Sequence, residues 1–339
     1  MNIEIPVLRL GLAGYTEAQT KQAADAAAAA GSARATWELG SFAEADAWWL
    51  EGNRTMLMPN QHLRVQPAVP RGRSVQIALA DVDRPVAFSL PITAPGFEPA
   101  VTFDLGDSAA AVGVLHQFAG WMQTMLSQFA LASSIVDNQP SLISGSWEVL
   151  RDTALLAVVD LKLGAGVMPG VSAKEFREAS WCVREHGAVT IPHNYSRASV
   201  SQVMWQYAQR TQRDLLPPHY RSHPLYFRRP PRLAHQQLKD AHLLVMRELM
   251  AHPGMTFLGL QQATGLAEAP LARVLSALYV VGSITSNRKR AVPSGERRAD
   301  GDSVANESSM SFPVMDSTPR LSRLPTADMT APLTLTPDR

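Results

Sequence analysis

The chain has 339 residues, a formal net charge of +1, and 46% hydrophobic and 18% charged residues. Because a single hydrophobic core rarely grows beyond about 250 residues, this length predicts two or three domains. The small net charge excludes a global electrostatic attraction to nucleic acid or to a membrane surface. Contacts with either would have to come from local clusters of basic residues.

The single cysteine, Cys182, excludes an internal disulfide bond and a zinc site built from several cysteines. Its apolar neighbours predict a buried structural thiol rather than a nucleophile. The first residues lack the basic and apolar regions of a signal peptide. Together these features predict a cytoplasmic protein.

The first ninety residues alternate short apolar runs with helix signals, which is typical of an α/β layer. We predict strands at 7–13, 36–39 and 54–58, separated by helices over 16–30 and 41–49. Each helix opens with a capping-box pattern, in which a Thr or Ser and a Gln or Glu three residues later satisfy two backbone N–H groups.

This order of elements in residues 5–60 resembles the start of a response-regulator receiver domain, which has a flavodoxin-like fold. A working receiver carries acidic residues after its first strand and at the end of its third, where they hold a magnesium ion and accept a phosphoryl group. The corresponding segments here, 12–14 and 56–59, contain none. We therefore expect a receiver-like α/β domain over residues 1–136 that does not accept phosphate.

A long apolar helix is predicted over residues 108–136, with apolar side chains at heptad spacing and a second apolar stripe beside them. Polar residues along it, such as Gln117 and Gln128, exclude a membrane span. A helix with so wide an apolar arc must be covered on most sides. Either the core of its own domain covers it, or a second copy of the chain does so in a homodimer.

A central α+β domain is predicted over residues 140–213. The segment 147–163 is typical of a β-hairpin with a buried return strand. A capping box at 172–175 opens a helix that is predicted to reach Val183, and a further helix is predicted over 199–213.

Residues 214–236 form a predicted Arg- and Pro-rich connector with interleaved aromatic residues. Arginine binds phosphate and carboxylate groups in a bidentate manner, and aromatic rings can stack on bases, so this segment is a candidate anion or nucleotide contact. The candidate anion-binding residues are Arg221, Arg228, Arg229 and Arg232. The alternative is a semi-rigid connector whose aromatic residues pin it to a neighbouring domain. Its histidines lack a regular helical face and a complete ligand set, so we predict no metal site and no cofactor.

Residues 237–290 form the most legible module of the chain. Over residues 238–287, a leucine-rich second helix is followed by a Thr-Gly-Leu turn at 264–266, an apolar third helix and a Gly-x-Ile strand. This pattern is similar to that of the winged-helix (winged helix-turn-helix) superfamily. Membership would imply DNA binding if the third helix presents polar or basic groups to base edges.

The third helix of this module begins with the acidic Glu268, which would face DNA phosphates unfavourably. The candidate nucleic-acid contacts are Arg273, Ser276, Arg288, Lys289 and Arg290. The last three could hold backbone phosphates without sequence specificity. Contact with a protein and contact with DNA therefore both stay open.

Residues 291–339 are rich in Ser, Thr, Pro, Asp and Gly, which predicts a disordered tail. The chain contains no phosphate loop, nucleophile elbow, zinc-protease motif or dinucleotide fingerprint. The sequence therefore predicts a non-enzymatic bacterial regulatory or adaptor protein whose winged-helix-like module contacts a protein or DNA. The alternatives are an effector that binds an anionic, nucleotide-like ligand through residues 221–232, and an enzyme of unrecognised type.

Overall fold

The computed structural model describes residues 4–69, 72–93, 97–138, 142, 145–160, 164–184, 190–233 and 237–291. The described residues fall into two compact units, with the boundary between Ser127 and Gln128. The predicted mixed α/β class, with a parallel sheet, is confirmed. The predicted tail lies outside the described residues apart from Ala291.

The N-terminal unit contains a parallel sheet, an antiparallel sheet and two helices. Its elements are β1 Val7–Ala13, α1 Glu17–Ala29, β2 Thr36–Gly40, β3 Ala47–Glu51, β4 Thr55–Met58, β5 His62–Val65, β6 Val75–Ala78, β7 Val86–Ser89, β8 Thr102–Phe103 and α2 Ser108–Trp121. The five parallel strands run in the order β2-β1-β3-β7-β8. The strands β4, β5 and β6 form a separate antiparallel sheet.

The parallel sheet is buried on both faces. On one face, Trp49 packs in a core with residues of α1 and α2. On the other face, Trp48 and Leu50 pack in a core with residues of β5 and β6. Alternate residues of β3 therefore enter different cores, and a strand covered on both faces carries a continuous apolar run.

Two predictions for this unit are wrong. Residues 41–49 were predicted as a helix, but Ser41 makes no side-chain capping hydrogen bond, a single 3-10 turn covers Phe42–Glu44, and the chain continues as β3. The third parallel strand is therefore β3, which ends at Glu51. The end of the third strand, where a working receiver carries an acidic residue, was wrongly predicted at residues 56–59. The first capping box is confirmed: the Gln19 backbone N–H donates to Thr16 Oγ1 at 3.3 Å.

The predicted long helix is interrupted at Met122, where α2 ends and α3, Gln123–Asn138, begins. The apolar residues of α2 lie in the N-terminal core beside the parallel sheet. Those of α3 from Phe129 onward lie in the core of the C-terminal unit. Burial within the chain's own cores favours the first of the two alternatives for this helix, and the homodimer stays a prediction.

The C-terminal unit joins an antiparallel sheet to a set of helices. Its further elements are β9 Ser146–Arg151, β10 Ala154–Asp160, β11 Gly164–Val167, α4 Ala173–Arg177, β12 Ser180–Arg184, β13 Ser196–Ala198, α5 Val200–Arg210, α6 His219–Ser222, β14 Tyr226–Phe227, α7 Asp240–Ala251, α8 Phe257–Thr264, α9 Glu268–Val280 and β15 Ile284–Thr285. The sheet order is β12-β9-β10-β11-β13, and β14 pairs with β15. The predicted hairpin, formed by β9 and β10, is confirmed.

The helix predicted to reach Val183 ends at Arg177. Its capping box is present, with the Ser172 backbone N–H donating to Glu175 Oε2 at 2.7 Å. The chain then forms β12, an edge strand of the antiparallel sheet. Cys182 is exposed on this strand, so the prediction of a buried thiol is wrong. Edge strands have only one neighbour, which leaves their side chains more accessible than those of central strands.

One hydrophobic core extends through the whole C-terminal unit. It contains residues from the antiparallel sheet, from α5 and from all three helices of the predicted winged-helix-like module. The helix α5 packs directly against α9. The apolar faces of α7, α8 and α9 are therefore buried together with the central region rather than in a separate core.

Candidate functional site in the arginine segment and the helix-turn-helix

Arg221 is held by two carboxylates and an aromatic ring. Its Nη2 lies 2.7 Å from Asp214 Oδ2, and its Nη1 lies 3.2 Å from Glu268 Oε1. The guanidinium carbon also lies 5.3 Å from the centre of the Phe257 ring. These contacts tie α6 to the beginning of α8 and α9, and they occupy the guanidinium fork that an anionic ligand would need.

Arg228 and Arg229 form hydrogen bonds with carbonyl groups just before β15. The backbone N–H of Arg228 donates to the Ser283 carbonyl at 2.8 Å. The Nη2 of Arg229 donates to the Val281 carbonyl at 3.2 Å. Arg232 is exposed. Strand pairing and carbonyl contacts of this kind fit the connector alternative better than a cluster of guanidinium groups around one ligand.

A pair of tyrosines fixes α6 against α9. The rings of Tyr220 and Tyr279 meet edge to face, with centroids 4.9 Å apart. Burial and the neighbouring Tyr220 raise the pKa of Tyr279 to about 12, so its phenol stays neutral at physiological pH.

The predicted helix-turn-helix geometry follows from its caps. The Thr256 hydroxyl accepts a hydrogen bond from the Gly259 N–H at 3.2 Å, which starts α8. Gly265 adopts φ +69°, the left-handed conformation that ends a helix and that glycine enters without a steric penalty. After this turn α9 begins at Glu268.

The helix α9 is enclosed rather than presented to solvent. Residues 274–278 are five consecutive buried residues. Because successive residues of an α-helix are separated by about 100°, five in a row cover every side of the helix. Ser276 was predicted to be exposed, but it is only 5% exposed, so the prediction of its exposure is wrong. Packing on more than one face, including that of α5, accounts for its burial.

The remaining nucleic-acid candidates lie on α9 and in the segment that follows β15. Arg273 is partly buried on α9. Arg288, Lys289 and Arg290 are exposed on a short 3-10 turn, in which Asn287 Oδ1 accepts a hydrogen bond from the Lys289 N–H at 3.0 Å. We call residues 288–290 the basic turn. None of the salt bridges found between described residues involves the basic turn.

A group of buried and partly buried polar residues in the N-terminal unit was missed from the sequence. Tyr15, Glu51 and Ser89 stand at or just beyond the carboxyl ends of β1, β3 and β7. The carboxyl ends of parallel strands meet at one edge of a sheet, where ligands commonly bind in open α/β folds. The sequence contains the signal, which is a polar residue at or just beyond the end of each of these strands. It was hidden because most of β3 was predicted as part of a helix.

None of the helices within the described ranges is both long and apolar enough to cross a membrane. Among the described side chains, no group of three or more His, Cys, Asp or Glu residues is arranged to hold a metal ion. Comparisons of the chain with protein-family models, with curated proteins and with solved structures found no match.

Proposed function

We propose that the protein is a non-enzymatic regulatory or adaptor protein whose winged-helix-like region contacts a protein partner and does not read DNA sequence. The observation that carries this proposal is the burial of five consecutive residues of α9. A recognition helix must lay one face in the major groove and present polar side chains to base edges. An enclosed helix that begins with the acidic Glu268 offers no such face.

Exposed apolar residues beside α9 support a protein partner. Leu243 and Met250 lie seven residues apart on α7, so they share one face of that helix. Leu258, at the start of α8, is 62% exposed. Large apolar side chains grouped at a surface are typical of contact sites for other proteins.

The strand order of the N-terminal unit supports the receiver-like part of the proposal. Taken along the parallel sheet alone, β2-β1-β3-β7-β8 is the order 2-1-3-4-5 of flavodoxin-like folds. One face differs, since an antiparallel sheet lies where such folds have helices. This unit would then serve as a binding or regulatory body rather than as a phosphate acceptor.

We expect the purified chain to gain no phosphoryl group from acetyl phosphate and magnesium. Glu51, which ends the third parallel strand, is buried, and no described acidic cluster could hold the metal that phosphoryl transfer requires. Intact mass spectrometry after incubation checks this expectation. A phosphoryl adduct mapped to Glu51 or to another carboxylate in residues 1–127 would contradict it.

The basic turn supports a second candidate function, a non-specific contact with a polyanion. Short fluorescent DNA duplexes of different sequence should bind equally, with a Kd of about 10⁻⁶ M or weaker at physiological salt. Replacing Arg288, Lys289 and Arg290 by Gln should make that binding less dependent on salt. The slope of log Kd against log salt concentration should fall by about 0.9 for each phosphate that is no longer neutralised.

The matched control is Arg247→Gln, which removes an exposed arginine of α7 that pairs with the adjacent Glu248 at 3.0 Å. It should leave DNA binding unchanged. Tight binding to one duplex sequence over the others would contradict the proposal that α9 does not read DNA.

A further inference from the structure

Among the residues that the structure describes, four buried polar atoms at the carboxyl edge of the parallel sheet have no hydrogen-bond partner. They are the Trp49 Nε1, the Glu51 Oε2, the Ser89 Oγ and the Tyr15 hydroxyl oxygen. Trp49, Glu51 and Ser89 are each less than a tenth exposed. We call these four residues the edge cluster.

The strand register brings the edge cluster together on one face of the sheet. Glu51 is opposite Ser89, and Ser89 is opposite Phe103. Trp49 lies two residues before Glu51, so both side chains leave the same face of β3. Its ring reaches Phe103, with centroids 4.4 Å apart, and therefore extends across β7 toward Ser89.

Tyr15 completes the edge cluster from the next strand. It follows β1, whose Ala13 is opposite Leu50 in the register with β3. Its phenol lies close to both Ser89 and the Glu51 carboxyl: burial raises its pKa most, and the Ser89 hydroxyl, which is near enough for a hydrogen-bond interaction, lowers it. No hydrogen bond of ordinary geometry joins the two hydroxyls.

A glycine permits the close approach of the strand ends that carry the cluster. Gly52 follows Glu51, and a Cβ built on it would collide with the Ser89 carbonyl oxygen. A larger residue at this position would push the end of β7 away from the end of β3. The convergence of Glu51 and Ser89 therefore depends on the lack of a side chain at Gly52.

An edge cluster of this kind is costly to the folded state. Each buried polar group without a partner destabilises the folded state, whereas an apolar group of the same shape would cost little or nothing. Buried polar atoms in folded proteins are nearly always bonded, so several in one place call for an explanation outside the protein's own hydrogen bonds. Polar groups that converge at the carboxyl edge of a parallel sheet are typical of a ligand site.

We propose that the edge cluster binds a small, uncharged molecule with several hydroxyl groups, of the polyol type. The indole N–H can only donate, so the ligand must offer an acceptor. When its carboxyl is ionised, Glu51 Oε2 can only accept, so the ligand must also offer donors. Adjacent hydroxyl groups meet both requirements, and the two protein hydroxyls can complete either role.

Charged ligands match the edge cluster less well. A phosphate or carboxylate ligand would face the buried Glu51, whose nearest described cation, the Arg54 guanidinium, lies 3.9 Å from Oε2. An ammonium group would satisfy Glu51 but has no acceptor for the Trp49 N–H. This inference does not depend on α9 or on the proposed contact with a protein partner.

The test follows the indole N–H signal of Trp49 by NMR in the full-length chain labelled with ¹⁵N-tryptophan. The chain has seven tryptophans, and a Trp49→Phe variant identifies the signal. Titration with glycerol and with ribose should shift it along a saturable curve. Acetate, ethylammonium and acetamide at equal concentrations should not.

The matched variant is Tyr15→Phe/Ser89→Ala, which removes two hydroxyls with little change in shape. We expect at least a fivefold weaker apparent affinity for glycerol. Its thermal midpoint without ligand should be equal to or above that of the wild type, because unpartnered hydroxyls are lost.

Three results would overturn the proposal. The first is a Trp49 signal that does not respond to polyols in a saturable manner, or that responds only to acetamide, which would indicate an amide ligand instead. The second is an unchanged affinity in the double variant. The third is a clear fall in its thermal midpoint, which would mean that the hydroxyls are bonded inside the protein.

Discussion

Replacing Leu275 by alanine is expected to lower the free energy of unfolding of the C-terminal unit by about 2–5 kcal/mol. Leu275 is fully buried in the middle of α9, in the core that this helix shares with α5 and the antiparallel sheet. The substitution removes apolar contacts and leaves a cavity that the surrounding side chains fill only in part. Denaturant titration followed by circular dichroism measures the change.

Leu258→Ala is the matched control, because it makes the same chemical change on the neighbouring helix at a side chain that is 62% exposed. Its effect should stay within about 0.5 kcal/mol. A loss below about 1 kcal/mol for Leu275→Ala, comparable to that of the control, would mean that α9 is not a core helix. In that case α9 would have a face free to enter a DNA groove.

Lowering the pH from 6.5 to about 4 is expected to cost the C-terminal unit about 3 kcal/mol of stability through His242 alone. Burial, with a smaller contribution from the charge of Lys239, lowers the pKa of His242 from 6.5 to about 4. The ring packs 4.6 Å from that of Trp205, and its Nε2 lies 2.9 Å from Gln209 Nε2. The folded state therefore holds a neutral imidazole.

The sign of the pH effect follows from which state binds the proton. Below pH 6.5 the unfolded chain protonates His242, while the folded chain does so only near the lower pKa of about 4. The stabilisation is therefore complete above pH 6.5 and is lost as the pH falls toward 4. Replacing His242 by Gln should remove this pH dependence.

The protonation of Glu51 would change the stability in the opposite direction as the pH falls. The His242 measurement is therefore made in a Glu51→Gln background. Burial raises the pKa of the Glu51 carboxyl above its ordinary value of 4.5, and the nearby backbone N–H groups and Arg54 partly oppose the rise. Its contribution to stability is present below pH 4.5 and is lost as the pH rises through the folded pKa. Denaturant titrations at several pH values and constant ionic strength, with and without His242→Gln, isolate the histidine. Equal slopes in the two proteins would contradict the assignment.

The helices of the C-terminal unit were predictable because local signals agreed with one another. In α9, apolar residues at Leu271, Val274, Leu275 and Leu278 mark one helical face, and Gly265 marks the preceding turn. The capping boxes at Thr16 and Ser172 were also recognisable, since both depend on residues only three apart.

The sequence by itself determined these locally encoded helices, their caps, the hairpin of β9 and β10, and the mixed α/β class. Only the tertiary structure decided that Ala47–Glu51 is a strand, because its uniform apolar run has no period and becomes a strand when layers cover both faces. The burial of Ser276 likewise depends on packing by elements distant in sequence, including α5. The edge cluster joins residues of β3 and β7 with Tyr15, which follows β1, and their convergence depends on strand order and register, which no local pattern encodes.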